Sequence, residues 1–234
     1  MRARHEHSSG RRRLTDPQWL MWARELQALA QNGLHFAQDP FDKERYAAVQ
    51  RVAKEMLAAG SGIDRQEIDG LVGRQAGYAT PKIDVRGAVF LDGRILLVRE
   101  RSDGLWTLPG GWADVNESPA EGVEREIREE SGYRATATKL VALWDRSRHD
   151  HPPHAFYIYK AVFLCELTAG HLQDSVESDD TVEGNAGYDN FETDGVGFFA
   201  RDALPPLSIG RVTARQIHRL FEHLEHPELP ADFD

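Results

Sequence analysis

The segment Gly111-Trp-Ala-Asp-Val-Asn-Glu117-Ser-Pro119-Ala-Glu-Gly-Val-Glu-Arg125-Glu126-Ile-Arg-Glu129-Glu130-Ser-Gly132-Tyr133 gathers acidic side chains in a pattern that can do chemistry. Pro119 suits the first turn of a helix, and Glu126, Glu129 and Glu130 then stand at i, i+3 and i+4 on one helix face. Carboxylates packed so closely raise one another's pKa and cost stability, unless a hard divalent cation with oxygen ligands sits among them. Mg²⁺ is the expected occupant, with Mn²⁺ as a substitute. Gly110 and Gly111 let the backbone approach the ion, so a main-chain carbonyl is a further expected ligand. Glu117 on the loop entering the helix and Arg125 two turns along are spaced to clamp loop to helix.

An acidic helix face can also be a merely solvated surface, and the spacing decides between the two. Every fixed position of G-x5-E-x7-R-E-U-x-E-E-x-G-U, with U apolar, is met by Gly111, Glu117, Arg125, Glu126, Glu129, Glu130 and Gly132. Chance supplies such a match on the order of once in a million chains of this length. The segment resembles the Nudix box, with Ile127 at one apolar position and Tyr133 as a mild departure at the other. The resemblance implies an α/β/α sandwich with a mixed sheet, in which Glu126, Glu129, Glu130 and the Gly110 carbonyl surround one to three Mg²⁺ ions. It further implies water attack on one phosphorus of a nucleoside diphosphate linked to another moiety, with a carboxylate taking the proton.

In many relatives that base is a Glu outside the box, late in the domain. Glu192 in Asn190-Phe-Glu192-Thr193-Asp194 is the first candidate; Glu177, Glu183 and Asp194 compete, and Glu129 or Glu130 could serve instead. Arg86 and Arg99 flank the Asp92-Gly93 turn and could hold phosphate oxygens, although a surface salt bridge is an equal reading for each. Trp106 is a candidate for facing the site and Trp144 for stacking on a base, against core or rim packing as the plainer alternative for both. His149, His151 and His154 surround Pro152-Pro153, and a substrate-contacting loop centred on His151 fits that spacing better than a zinc site.

The remaining chain must position these groups. Residues 16–77 read as a helical N-terminal domain, with Trp19, Leu20, Trp22, Ala23, Leu26 and Leu29 at helical steps. A second helix opens at Asp39-Pro40 and ends before Gly60, and a third, short one spans Asp64 to Val72. From residue 78 to 234 strands and helices mix. A half-buried strand starts at Lys82, Asp92-Gly93 makes a hairpin, and Arg94 to Arg99 returns. Further strands are expected at Tyr133–Asp145, Ala155–Leu167 and Gly195–Ala200, with helices at Ser118–Ser131 and Val212–Leu224. Thr168 to Asp194 reads as a long acidic loop.

Tyr78-Ala-Thr-Pro81-Lys82-Ile-Asp84-Val-Arg86, Trp144-Asp145-Arg146, His151-Pro152-Pro153 and Leu204-Pro-Pro-Leu-Ser208 are similar to a narrower Nudix branch carrying a helical N-terminal module. That branch includes CDP-choline pyrophosphatases, some of which trim RNA from its 3′ end, and ADP-ribose pyrophosphatases; its module helps form a homodimer. Arg148 stands about sixteen residues after Gly132, where a proline often accompanies ADP-ribose specificity, which places CDP-choline slightly ahead.

The formal net charge of −10 opposes binding to a polyanion and favours a small, metal-neutralised nucleotide, leaving single-stranded RNA ends as the nucleic-acid alternative. Arg2, Arg4, Arg11, Arg12 and Arg13 make residues 1–15 a basic tail, read as flexible and solvated. No run of apolar residues is long enough to span a bilayer, and the N-terminus lacks the apolar stretch of a secretory signal. The single cysteine, Cys165, reads as a core thiol in a reducing, cytoplasmic setting. Triphosphate pyrophosphohydrolysis and a non-catalytic nucleotide sensor are the other functions the sequence permits, the sensor being disfavoured because every box carboxylate is present.

Overall fold

The computed structural model describes residues 16–73, 75–168 and 191–234. The basic N-terminal arginines and most of the acidic stretch, Glu177 and Glu183 included, lie outside the described residues.

Three helices come first: α1 (Gln18–Phe36), α2 (Pro40–Ser61) and α3 (Arg65–Val72). The Asp39 side chain accepts from the Phe41 N–H at 2.7 Å, capping α2 with Pro40 in its first turn. Helix α2 does not stop before Gly60; it runs to Ser61 and is ended by Gly62 in the left-handed region at φ 71°. Gly60 instead serves packing, since a Cβ there would lie 2.5 Å from the Trp19 ring of α1. Leu20, Ala23, Leu57, Ile68 and Val72 close a small core, against which Phe156 from the following domain packs.

The remaining elements are β1 (Lys82–Leu91), β2 (Arg94–Glu100), β3 (Trp106–Thr107), α4 (Pro119–Ser131), β4 (Ala135–Asp145), β5 (Ile158–Leu167), β6 (Thr193–Phe199), α5 (Ala214–Glu225) and β7 (Asp232–Phe233). Their sheet order is β3-β2-β1-β5-β4-β7, with β6 added on β2. β1 runs parallel to β5 and β4 to β7, while the other pairs are antiparallel, so the sheet is mixed. Strand β6 begins at Thr193, so the expected loop ends earlier than Asp194. The two-residue strands β3 and β7 carry no alternation long enough to reveal them in sequence.

Period two sorts the core into layers. Val85, Val89, Leu96 and Val98 pack with Val123 and Ile127 of α4, whereas Ala88, Ile95 and Leu97 pack with Ile217, Leu220 and Phe221 of α5. Helices therefore cover both faces, and β1 is buried continuously from Asp84 to Val89 rather than on one face only. Gly87 is required where α4 crosses, because a Cβ there would meet Ile127 Cδ1 at 2.7 Å.

Between β1 and β2, Asp92 (φ 49°) and Gly93 (φ 71°) form a tight hairpin turn, and only Phe90 and Leu91 of β1 pair with β2. Beyond that tip the strands part. The edge of β1 so exposed is taken by the glycine-rich segment: Val85 N–H donates to the Gly111 carbonyl at 2.8 Å, and Gly87 N–H to that of Pro109 at 2.9 Å. This divergence sets Gly110-Gly111 directly beside Arg86.

Candidate active site

Helix α4 starts with a capping box: Ser118 accepts from the Glu121 N–H, and the Glu121 carboxylate accepts from the Ser118 N–H. It ends at Gly132, φ 75°. The fixed register leaves Glu130 buried, Glu126 half-buried and Glu129 half-exposed on one face. Glu130 accepts from the Gly110 N–H at 2.8 Å, joining helix to glycine segment.

The expected Glu117–Arg125 pair is present, with Nε to the two carboxylate oxygens at 3.0 and 3.1 Å. Arg125 does more than clamp. Its Nη1 reaches Glu126 at 3.1 Å and Glu129 at 2.9 Å, and its Nη2 reaches Asp114 at 3.3 Å. The crowding of like charge along the helix face is thus offset by one guanidinium, held well above its ordinary pKa, chiefly by its hydrogen bond to Glu117. Glu126 and Glu129 turn towards Arg125 while Glu130 turns to Gly110, and no three acidic, His or Cys side chains converge closely enough to form a metal centre among the described residues. The donor chemistry nevertheless suits a hard cation. Burial pushes the Glu130 carboxyl up to about 8 and Glu126 above the ordinary carboxylate range, a penalty that an adjacent cation would reverse.

These groups line one cleft of about 1,040 Å³, together with Arg86, Gly110, Gly111 and Glu192. The Glu192 segment is fixed at the cleft by two hydrogen bonds: Arg101 N–H to the Glu192 carbonyl at 2.9 Å, and Thr193 Oγ1 to the Glu130 carbonyl at 2.9 Å. Arg86 is buried, donating through Nε to Asp84 at 2.9 Å and through Nη1 to the Leu108 carbonyl at 3.0 Å. Among the cleft residues that escaped the sequence reading, Glu100 and Arg211 form an ion pair. Glu100 is buried, its carboxyl raised by desolvation, and pairs with Arg211 Nε at 3.0 Å. Its signal was there, because Glu100 falls in phase with Leu96 and Val98 on the inward side of β2. Arg211 follows the Leu204-Pro-Pro turn far along the chain, with no local pattern to reveal it.

Other expected substrate contacts stand outside this cleft. Arg99 points to the opposite side of β2 from Glu100, where it pairs with Asp194 at 2.7 Å and lies over the Trp106 ring at 5.9 Å. Trp106 packs edge-on against Phe199. Asp194, paired with Arg99, likewise does not line the cleft. Trp144 is buried in the core under α5. The three histidines diverge: His149 lies near Trp144 and Asp234, His151 Nδ1 meets the Ile209 carbonyl at 2.7 Å, and His154 Nδ1 accepts from the Phe156 N–H at 3.1 Å.

Burial drives the His151 pKa down to about 3 and that of His154 to about 4, aided by nearby cations: Lys160 and Arg146 for both, and Arg24 for the second. The unfolded chain takes up these protons near pH 6.5 and the folded chain does not, so stability is full above 6.5 and falls as pH drops towards 4. The slope is about 1.4 kcal/mol per pH unit per histidine. In urea melts His151→Gln is expected to gain stability relative to the wild type as the pH falls from 7 to 5, a comparison in which the opposing titration of buried carboxyls cancels; a difference that does not change with pH would refute the assignment.

A family model described as NUDIX domain matches residues 81–221, and one described as UDP-X-like, N-terminal oligomerisation domain matches residues 17–72. YjhB of Bacillus subtilis (strain 168), named as a candidate ADP-ribose pyrophosphatase, is 43% identical over 216 residues, covering 92% of this chain and 97% of that protein. A crystal structure of UDP-X diphosphatase is 33% identical with a TM-score of 0.56, covering 92% of this chain and 98% of that one. An ADP-ribose pyrophosphatase structure from Streptococcus suis 89-1591 is 38% identical with a TM-score of 0.54, covering 66% of this chain and 100% of that one. With the box residues assembled at one cleft and a relative of this identity spanning nearly the whole chain, the chain belongs to the Nudix hydrolase family.

Proposed function

We propose that this Nudix hydrolase splits the diphosphate of a nucleoside diphosphate-linked substrate of the ADP-ribose or UDP-X kind, releasing a nucleoside monophosphate and a phosphorylated moiety. The observation that carries the reading is the cleft, where Glu126, Glu129, Glu130, the glycine segment, Arg86, Arg211 and Glu192 face a common space. The relatives named ADP-ribose pyrophosphatase and UDP-X diphosphatase support ADP-ribose and UDP-X conjugates as the first substrates to test, with CDP-choline, favoured by Arg148, beside them.

Glu126, Glu129, Glu130 and the Gly110 carbonyl would hold Mg²⁺, or Mn²⁺ in its place; when bound, the ion supplies charge neutralisation at phosphorus and lowers the pKa of the attacking water. Arg86 and Arg211 bind and orient phosphate oxygens at the cleft wall. Glu129 and Glu126, held by Arg125, keep the helix face in register. The Glu192 carboxylate accepts the proton of the water as its oxygen attacks phosphorus and the bridging P–O bond breaks. Glu192 is exposed and lines the cleft. Glu192→Gln is expected to lower kcat at least about tenfold with an unchanged Tm; near-normal turnover would remove Glu192 from this role.

Trp22, Leu29, Phe36 and Phe41 are exposed apolar side chains on α1 and at the start of α2, and they suit a homodimer contact. Among the described residues no helix is long and apolar enough to cross a membrane. The buried Cys165 thiol, pushed up to about 12, suits a reducing cytoplasm. The test of function is hydrolysis of ADP-ribose, UDP-linked sugars, CDP-choline, dinucleoside polyphosphates, nucleoside triphosphates and short RNA, with Mg²⁺ and with EDTA. Metal-dependent cleavage of a nucleoside diphosphate conjugate is expected, and no metal-dependent turnover of any member would overturn the reading.

A further inference from the structure

A second cavity, of about 400 Å³, adjoins the cleft, and Arg86, Gly111, Trp112 and Arg211 line both. Its floor comes from strand register: β1 and β5 run parallel with Asp84 opposite Lys160 and Arg86 opposite Val162. Its far wall is Arg146, in the short 3₁₀ turn Arg146–Arg148 that follows β4, with His154 beside it.

The charges of this cavity do not balance. Asp84 is a buried carboxylate, and it accepts from both Arg86 Nε and Lys160 Nζ. Arg146 is also buried, yet among the described residues its guanidinium donates to neutral acceptors only, the carbonyls of Pro152 at 2.8 Å and Gly210 at 3.2 Å. The carboxylate that acts on it from the helical side, Asp16, is bound by Arg24 at 2.5 Å. Arg211 is held by Glu100 and Asp103 at 3.0 Å each. His154 stays neutral near pH 7, with its pKa lowered to about 4. Among the described residues Asp84 is the one carboxylate lining this cavity; Arg86 is also balanced by Glu130 and Glu100 from the cleft side, which leaves the buried cations Lys160 and Arg146 to share Asp84. Desolvation lowers Lys160 to about 8 and Arg146 to about 10, the expected cost of cations that burial has left under-neutralised. A structural role alone would have been met more cheaply by apolar side chains of similar volume.

We propose that this cavity is an anion seat that takes a phosphoryl group of the substrate, with Arg146 and Lys160 as its specificity-determining residues. The substrate's identity as a phosphate ester rests on the reading under Proposed function; the seat itself rests on the unbalanced charge. An excess of about one positive charge, Lys160 and Arg146 against Asp84, attracts a phosphoryl oxyanion and repels a quaternary ammonium, so conjugates of choline are disfavoured against neutral or phosphorylated sugars. The phosphoryl group has two possible sources, the substrate's own diphosphate or a phosphate on the linked moiety.

Inorganic phosphate, titrated in EDTA at constant ionic strength against chloride, is the direct probe and needs no turnover. Phosphate is expected to raise the Tm of the wild-type protein, and Arg146→Met and Lys160→Met are each expected to weaken that binding at least tenfold. Arg146→Lys, which keeps the charge, should restore most of it and guards against a variant that misfolds. No phosphate-specific stabilisation of the wild type, or stabilisation unaltered in well-folded Arg146→Met and Lys160→Met, would overturn the proposal. Steady-state kinetics then separate the sources. If the seat holds the substrate's own diphosphate, Arg146→Met raises KM alike for conjugates with and without a phosphate on the linked moiety; if it holds the extra phosphate, KM rises for the phosphorylated conjugate alone. Variant-sensitive phosphate binding without turnover of any conjugate would leave the seat standing while sinking the substrate reading.

Discussion

Glu130→Gln is expected to abolish turnover and, at the same time, to stabilise the metal-free protein. Glu130 is buried, and desolvation, the largest influence on it, lifts its carboxyl to about 8 despite Arg86 nearby and the Gly110 N–H bond. A carboxyl whose folded pKa lies above its ordinary 4.5 binds its proton more tightly in the folded state, so stability is lost as pH rises from 4.5 towards 8. At pH 7 the penalty is on the order of 3 kcal/mol. Glutamine removes the charge while its amide oxygen still accepts from Gly110. Urea unfolding in EDTA should therefore show the variant more stable at pH 7 and the advantage shrinking at pH 5. With metal present, kcat/KM should fall by about a thousandfold, because a hard anionic ligand has been replaced by a neutral one. A variant less stable than wild type at pH 7 would mean that Glu130 is held as an anion by its neighbours, and retained activity would remove it from the metal-binding set.

The opposition between stability and activity at Glu130 indicates which parts of the site the sequence could reveal. The i, i+3, i+4 spacing of Glu126, Glu129 and Glu130 is local, and Ser118-Pro119 and Gly132 fix where the helix starts and stops, so the face was legible at once. The Glu117–Arg125 pair was legible for the same reason, both ends lying within one loop and helix. Which partner each carboxylate chooses was not, because the bridging of Glu126 and Glu129 by Arg125 depends on rotamers. Arg86 and Arg99 looked equivalent in sequence, flanking one turn. They part because β1 leaves β2 after the hairpin tip, so that Arg86 faces the glycine segment and Arg99 faces β6 and Asp194. Trp144 and His151 carry chemistry in their side chains, yet the core and the Ile209 carbonyl absorb them. Lys160 and Arg146 were invisible as ligand groups, since only the parallel pairing of β1 with β5 brings Lys160 opposite Asp84 from 76 positions away in the chain.

Adjacent glycines in the site should respond in opposite ways to one added methyl group. Gly110 has φ 138°, a region that residues with a Cβ rarely adopt, and a Cβ built there would stand 2.0 Å from the Val85 carbonyl oxygen and 2.9 Å from Arg86 Cα. Both obstacles are backbone of β1, which has helices packed on both faces and cannot yield. Gly110→Ala must therefore push the glycine segment off the edge of β1, breaking the Val85–Gly111 and Gly87–Pro109 hydrogen bonds and the contact with Glu130. A loss of at least about 3 kcal/mol is expected, which for a chain of this size lowers Tm by roughly 10 °C, with activity lost as well. At Gly111 the backbone carries no such strain, and the nearest atoms a Cβ would meet belong to the Glu126 carboxylate, Oε1 at 3.0 Å first, the end of a side chain that can swing. Gly111→Ala should keep Tm within about 2 °C of wild type while shifting Glu126 and reducing kcat. If Gly110→Ala melted with the wild type, the close approach of the glycine segment to β1 would be wrong, and with it the placement of Arg86 beside the box helix.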